Sequence, residues 1–188
     1  MKSIILGSNS PRRKELLAGL GFEFTVDTGN NFDECIEDGV DPHQQVIDMS
    51  EGKSLGFHRE LKQDEILITA DTIVIVDDEL LGKPHSRQEA VCMLQKLSGR
   101  EHEVVTAVTI RDASRKLTFS DSSKVVFAPL SDSEIDYYID NYKPFDKAGA
   151  YGIQEWIGYA AIESITGSFY NIMGLPVHRI YQEIKSFL

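Results

Sequence analysis

Cysteine is scarce in this chain: there are two among 188 residues. Cys35 and Cys92 stand far apart, with no second Cys or His at metal-ligand spacing, so both a structural zinc site and a disulfide framework are disfavoured against two reduced thiols. No apolar run approaches the length needed to span a bilayer. The apolar start Ile4-Ile5-Leu6 is too short for the core of a signal peptide and reads as a first buried strand, which places the expected protein in the cytoplasm. Basic residues are also the minority, 19 against 30 acidic, for a net charge of −11. A chain of that charge gains little from a polyanionic backbone, so nucleic acid is disfavoured as a partner. The five histidines show no HExxH-type spacing and receive no catalytic task. No repeat, low-complexity tract or Gly/Ser/Pro linker divides the chain, and its length suits one domain over 1–188.

What is present alternates between strand-like and helix-like stretches, which argues for α/β with a mixed sheet. Strands are predicted at 3–8, 24–28, 65–70, 73–76, 103–111, 117–128 and 159–165. Helices are predicted at 11–20, 42–61, 86–97, 131–142 and 176–187. Ser10 is an N-cap with Pro11 at the first helical position. Ser86 with Glu89, and Ser131 with Glu134, have capping-box spacing. Gly52 and Gly56 weaken the helix that carries Lys53. The charged tip Asp77-Asp78-Glu79 turns the chain.

Basic groups gather locally despite the acidic balance. Ser8-Asn9-Ser10-Pro11-Arg12-Arg13 joins a strand to a helix N-terminus, where free N–H groups favour an anion. Ser8 and Ser10 add hydroxyls, and Arg12 and Arg13 add planar forks suited to phosphate oxygens. Two cations at that end oppose the helix dipole, so stability alone does not explain them. Ala70-Asp71-Thr72 lies between two apolar β runs, where a carboxylate is costly unless paired, metal-bound or facing a cleft. A turn Asp between two hairpin strands is the equal alternative. Lys83, between Gly82 and Pro84, could reach a phosphate as a point charge, although a surface turn is the simpler reading. In the run 146–154 the glycines permit close backbone approach, and Gln154 offers both donor and acceptor to a base edge. The segment 167–176 reads as a packed turn before the last helix. Glu34 is a candidate metal or water ligand within a solvated acidic loop.

Taken in order, these segments resemble the Maf family of nucleotide pyrophosphatases, also described as septum-formation inhibitors. Ser8-Asn9-Ser10-Pro11-Arg12-Arg13 looks like the family's opening motif. Ala70-Asp71-Thr72, Gly82-Lys83-Pro84, Ser98-Gly99, Asp146-Lys147-Ala148-Gly149 and Gly174-Leu175-Pro176 follow in the family's order over nearly the whole chain.

The resemblance implies an elongated mixed sheet flanked by helices, with a deep central cleft, similar to inosine triphosphate pyrophosphatases. It implies hydrolysis of a nucleoside triphosphate to the monophosphate and pyrophosphate, assisted by Mg²⁺ or Mn²⁺ through ligands it does not name. Asp71 falls on the family's proton acceptor. Arg13, Thr72 and Gln154 fall on positions of the subgroup that prefers dTTP and UTP. Ser8, Arg12, Glu34, Lys53 and Lys83 complete the expected substrate-binding set. The alternatives are a pyrophosphatase for 7-methyl-GTP or a non-canonical purine triphosphate, and a non-catalytic nucleotide sensor acting in cell division. Assembly as a homodimer is left open. One departure stands out: Glu155-Trp156-Ile157 follows Gln154 where the family usually has glycine.

Overall fold

Local capping chemistry starts several of the helices in the computed structural model, which describes residues 2–33 and 39–188. The first helix, α1 (Pro11–Gly19), begins where the Ser10 side chain accepts from the Arg13 N–H, with proline in its first turn. The helix α4 (Asp132–Tyr142) carries the full reciprocal box between Ser131 and Glu134. The box expected for α3 (Arg87–Leu97) forms by half. Ser86 caps the Glu89 N–H, but the Glu89 carboxylate accepts from the His85 N–H at 2.8 Å.

The strands are β1 (Ser3–Leu6), β2 (Phe24–Val26), β3 (Glu65–Val76), β4 (Glu79–Leu81), β5 (Glu101–Arg111), β6 (Lys116–Phe127) and β7 (Ile162–Thr166). They form one sheet in the order β2-β1-β3-β5-β6-β7, with β4 paired to β3. β1 runs parallel to both β2 and β3, while β4 and β7 pair antiparallel with β3 and β6. The remaining helices are α2 (Pro42–Leu55), α5 (Trp156–Ala160), α6 (Phe169–Ile172) and α7 (Val177–Ile184). The architecture is therefore mixed α/β, as expected. Asp77 and Asp78, both at positive φ, make the tight turn from β3 to β4.

Three expected elements differ. The runs 65–70 and 73–76 are one continuous strand, because Asp71 stays within β3 and is not a turn residue. The long helix expected at 42–61 stops at Leu55, where Gly56 caps it, and Phe57 leaves to bridge Asn30. Phe57 and Leu61 then pack with Ile5 and Leu67. The strand expected at 159–165 is split: 156–160 coil into α5, and β7 begins only at Ile162.

The chain divides into two compact units interleaved in sequence. The first comprises 1–71, 106–121 and 174–188, and the second 72–105 and 122–173. In the first unit, α2 is fastened to the strands by polar contacts. Ser50 Oγ meets Thr109 Oγ1 at 2.9 Å, Thr69 Oγ1 donates to the Ser50 carbonyl, and Arg111 donates to both the hydroxyl and the carbonyl of Ser54. The two glycines that weaken α2 as a helix have a packing reason. A Cβ on Gly52 would lie 2.3 Å from the Phe32 ring, and one on Gly56 would lie 2.9 Å from the Phe32 backbone nitrogen.

In the second unit, Tyr151 and His102 share a hydrogen bond of 2.8 Å beside Phe127. Asn171, wholly buried, donates to the Val104 carbonyl and to Ser123, so the turn at 167–171 is structural. His102 is 2% exposed, and its Nδ1 has no partner among the described residues. Burial pushes its pKa down to about 4. The unfolded chain, with an ordinary histidine near 6.5, therefore takes up the proton first. Stability from this residue is complete above pH 6.5 and is lost as pH falls through that value toward 4. The integrated effect is on the order of 3 kcal/mol. Urea unfolding at pH 7.5 and 4.5 should show wild type losing more stability than His102→Gln by about that amount. Parallel losses would refute it.

Candidate active site

The strand-to-helix connection after β1 positions the first cluster. Ser8 is 9% exposed, and its Oγ accepts from the Ser10 N–H at 3.3 Å and from Arg13 Nη1 at 3.4 Å. Arg13 also donates through Nη1 to the Ala70 carbonyl at 2.8 Å and through Nε to the Gly174 carbonyl at 2.9 Å. The guanidinium thus ties the first turn of α1 to the peptide just before Asp71 and to the turn before α7. A lysine, with a single point charge, would not reproduce that fork. Arg12 adds a second partly exposed cation in the same turn, which holds no acidic residue.

The second cluster joins α2 to β3. Lys53, in the last turn of α2, places Nζ 2.5 Å from Asp71 Oδ1, and both side chains are mostly covered. Asp71 is 8% exposed, and its other oxygen accepts no hydrogen bond among the described residues. A buried carboxylate needs such a partner. The Asn30 side chain, beside the glycines of α2, donates to the Lys53 carbonyl at 2.5 Å and braces the helix end. The sequence marked Lys53 and Asp71 separately, but their 18-residue separation gives no sign that they pair. Ser8, Arg12, Arg13, Lys53 and Asp71 all belong to the first unit.

Thr72, Lys83 and Gln154 belong to the second unit. Lys83 is exposed. Its neighbour Gly82 accepts from the Gly149 N–H at 3.0 Å, which joins the Gly82-Lys83-Pro84 turn to the glycine-containing run. Gly149 has positive φ, and a Cβ there would lie 2.9 Å from Val74. Gln154 is partly covered, and its Oε1 is buried with no partner among the described residues. Glu34 and Cys35 lie outside the described residues, and Cys92 is an exposed free thiol.

The sequence gives Lys147 no role beyond its place in the motif. It is 8% exposed, 2.8 Å from Asp146 and 3.1 Å from Glu155. The only sequence signal for it was a lysine set between an aspartate and glycines. Among the described residues no group of three His, Cys, Asp or Glu side chains could hold a metal ion. No helix among them is long and apolar enough to cross a membrane.

Chemically, the first unit offers a positively charged strand-to-helix turn with hydroxyls, and a buried carboxylate held by an ammonium. Those groups suit a polyphosphate and a proton acceptor. The second unit offers an amide acceptor, Gln154 Oε1, with no partner among the described residues.

Comparison with known proteins gives these features a context. The family model described as "Maf-like protein" matches residues 3–187. A protein of Porphyromonas gingivalis named dTTP/UTP pyrophosphatase is 52% identical over 98% of this chain and 94% of its own length. One of the same name from Parabacteroides distasonis is 50% identical over 98% of this chain and 95% of its own. Another, from Christiangramia forsetii, is 42% identical over 98% and 94%. Among solved structures, the Ham1 protein of Staphylococcus aureus aligns with 68% of this chain and 72% of its own, at 16% identity and a TM-score of 0.43. A HAM1 protein from Coxiella burnetii aligns with 68% and 74%, at 14% identity and a TM-score of 0.44.

Proposed function

The chain belongs to the Maf-like protein family, and from that membership we propose that it hydrolyses dTTP and UTP to the monophosphate and pyrophosphate. The observation that carries the chemical part is the mostly covered Lys53–Asp71 pair, with one Asp71 oxygen left without a hydrogen bond among the described residues. The base preference is supported by the relatives' shared name and by the Gln154 amide oxygen, which has no partner among the described residues.

In this reading Asp71 accepts the proton of the water that attacks the α-phosphorus. The bond to the β-phosphate oxygen breaks, and pyrophosphate leaves. Arg12, Lys53 and Lys83 carry the polyphosphate charge, Ser8 supplies a hydroxyl, and Thr72 and Gln154 serve substrate recognition. Arg13 contributes charge and also braces the Ala70 peptide. Glu34 joins this set from the sequence alone.

A divalent cation, Mg²⁺ or Mn²⁺, fits a site of this composition. Such ions are held by one or two carboxylates, with substrate phosphates and water completing the shell, and need no dedicated cage. Asp71, held by Lys53 through one oxygen, is the described carboxylate that would hold the ion. Bound there, the ion would neutralise phosphate charge and polarise the phosphoryl oxygen. We place the activity in the cytoplasm, in a single functional domain over 1–188, with no nucleic acid or membrane partner. The test is a panel of UTP, dTTP, GTP and ATP with Mg²⁺ or Mn²⁺, read by pyrophosphate release. Higher kcat/KM for UTP and dTTP is expected. A purine triphosphate as best substrate would reverse the base assignment.

A further inference from the structure

The turn that carries Gln154 is held from several sides by side chains with no role in the reaction above. The Glu155 N–H donates to the Gly152 carbonyl at 3.0 Å, closing the turn 152–155. The Gly158 N–H donates to the Glu155 carbonyl at 2.9 Å, starting α5. Tyr138, on α4 and wholly buried, bridges the two ends of the turn. Its hydroxyl donates to the Glu155 carboxylate and accepts from the Gly152 N–H at 2.9 Å. Lys147 Nζ lies 3.1 Å from the other oxygen of that carboxylate. A Cβ on Gly152 would sit 3.0 Å from both Glu155 Cδ and Lys147 Cε, so the ion pair packs directly on the turn backbone. Trp156 adds an edge-on contact with Tyr137 at 5.0 Å between ring centres.

We propose that Tyr138 and Glu155, with Lys147, are positioning residues for base selection: they fix the turn so that the Gln154 amide is presented in one orientation. The inference rests on the reading of Gln154 as the group that meets the base. Its physical basis is that a buried acceptor discriminates between bases only when its own position is fixed, since a loose amide can turn to suit either edge. The glutamate at 155, where family resemblance leads one to expect glycine, supplies the anchor that Tyr138 and Lys147 grip. Burial and the bond to Glu155 push the Tyr138 phenol well above its ordinary range, so it remains a donor at any working pH.

The experiment compares kcat/KM for UTP and GTP, together with Tm, in wild type, Gln154→Ala, Tyr138→Phe, Glu155→Gln and the Tyr138→Phe/Gln154→Ala double variant. Tyr138→Phe removes both hydroxyl contacts and is expected to lower the UTP:GTP ratio about tenfold. Glu155→Gln keeps the shape and should move the ratio the same way by less. In the double variant the ratio should equal that of Gln154→Ala, because the positioning acts only through Gln154. A Gln154→Ala ratio equal to wild type would overturn the base-reading assignment, and the positioning proposal with it. If Gln154→Ala shifts the ratio, but Tyr138→Phe and Glu155→Gln lower Tm and leave the ratio unchanged, the positioning role alone fails. Should Tyr138→Phe not fold, Glu155→Gln carries the same test.

Discussion

Asp71→Asn is expected to lower kcat for UTP by about 10²–10⁴-fold, the usual effect of losing a general base. Asparagine keeps the shape, and its amide oxygen can still accept from Lys53, 2.5 Å away in the native pair. It does not take up a proton from water. The fold around it should persist, since β3 continues through this position to Val76 with its apolar residues buried. Steady-state kinetics with a Tm control checks the result. Turnover within about threefold of wild type, far inside the range general-base loss produces, would remove Asp71 from the role.

Lys53→Met should be almost as damaging, for two reasons that reinforce each other. It removes a cation from the phosphate-binding set, and it leaves the Asp71 carboxylate, 8% exposed, without its ammonium partner. Loss of one preorganised donor at a reacting centre costs on the order of 10²–10³-fold. The expected outcome is a fall in kcat/KM of that size with a raised KM for UTP, since methionine fills the space of the lysine stem but holds no phosphate. An unchanged KM would mean that Lys53 serves the carboxylate only, and the phosphate part of its role would be wrong.

The legible parts of this molecule were those governed by neighbours in sequence. Ser10 and Ser131 announced their helices because capping is a contact over three residues. Arg12 and Arg13 stood out because two cations oppose a helix dipole, a conflict visible without any structure. Gly52 and Gly56 show in the sequence only as helix weaknesses, because their reason is Phe32, some twenty residues away. From sequence, Asp71 suits a turn and a site equally. In the fold β3 runs through it without a break, a continuity that no local signal announces. The strand expected at 159–165 begins late, because 159–160 close the short helix α5, in which Gly158 packs against the Ile153 carbonyl. The Lys53–Asp71 pair and the Tyr138–Glu155–Lys147 anchor each join residues from different elements. No spacing rule for a single helix or strand connects them.

The central claim is attack of water on the α-phosphorus, and isotope placement tests it most directly. Hydrolysis of UTP in ¹⁸O-labelled water, followed by mass spectrometry of both products, should put the label in UMP and leave pyrophosphate unlabelled. Label in the pyrophosphate, or release of orthophosphate with UDP, would contradict it.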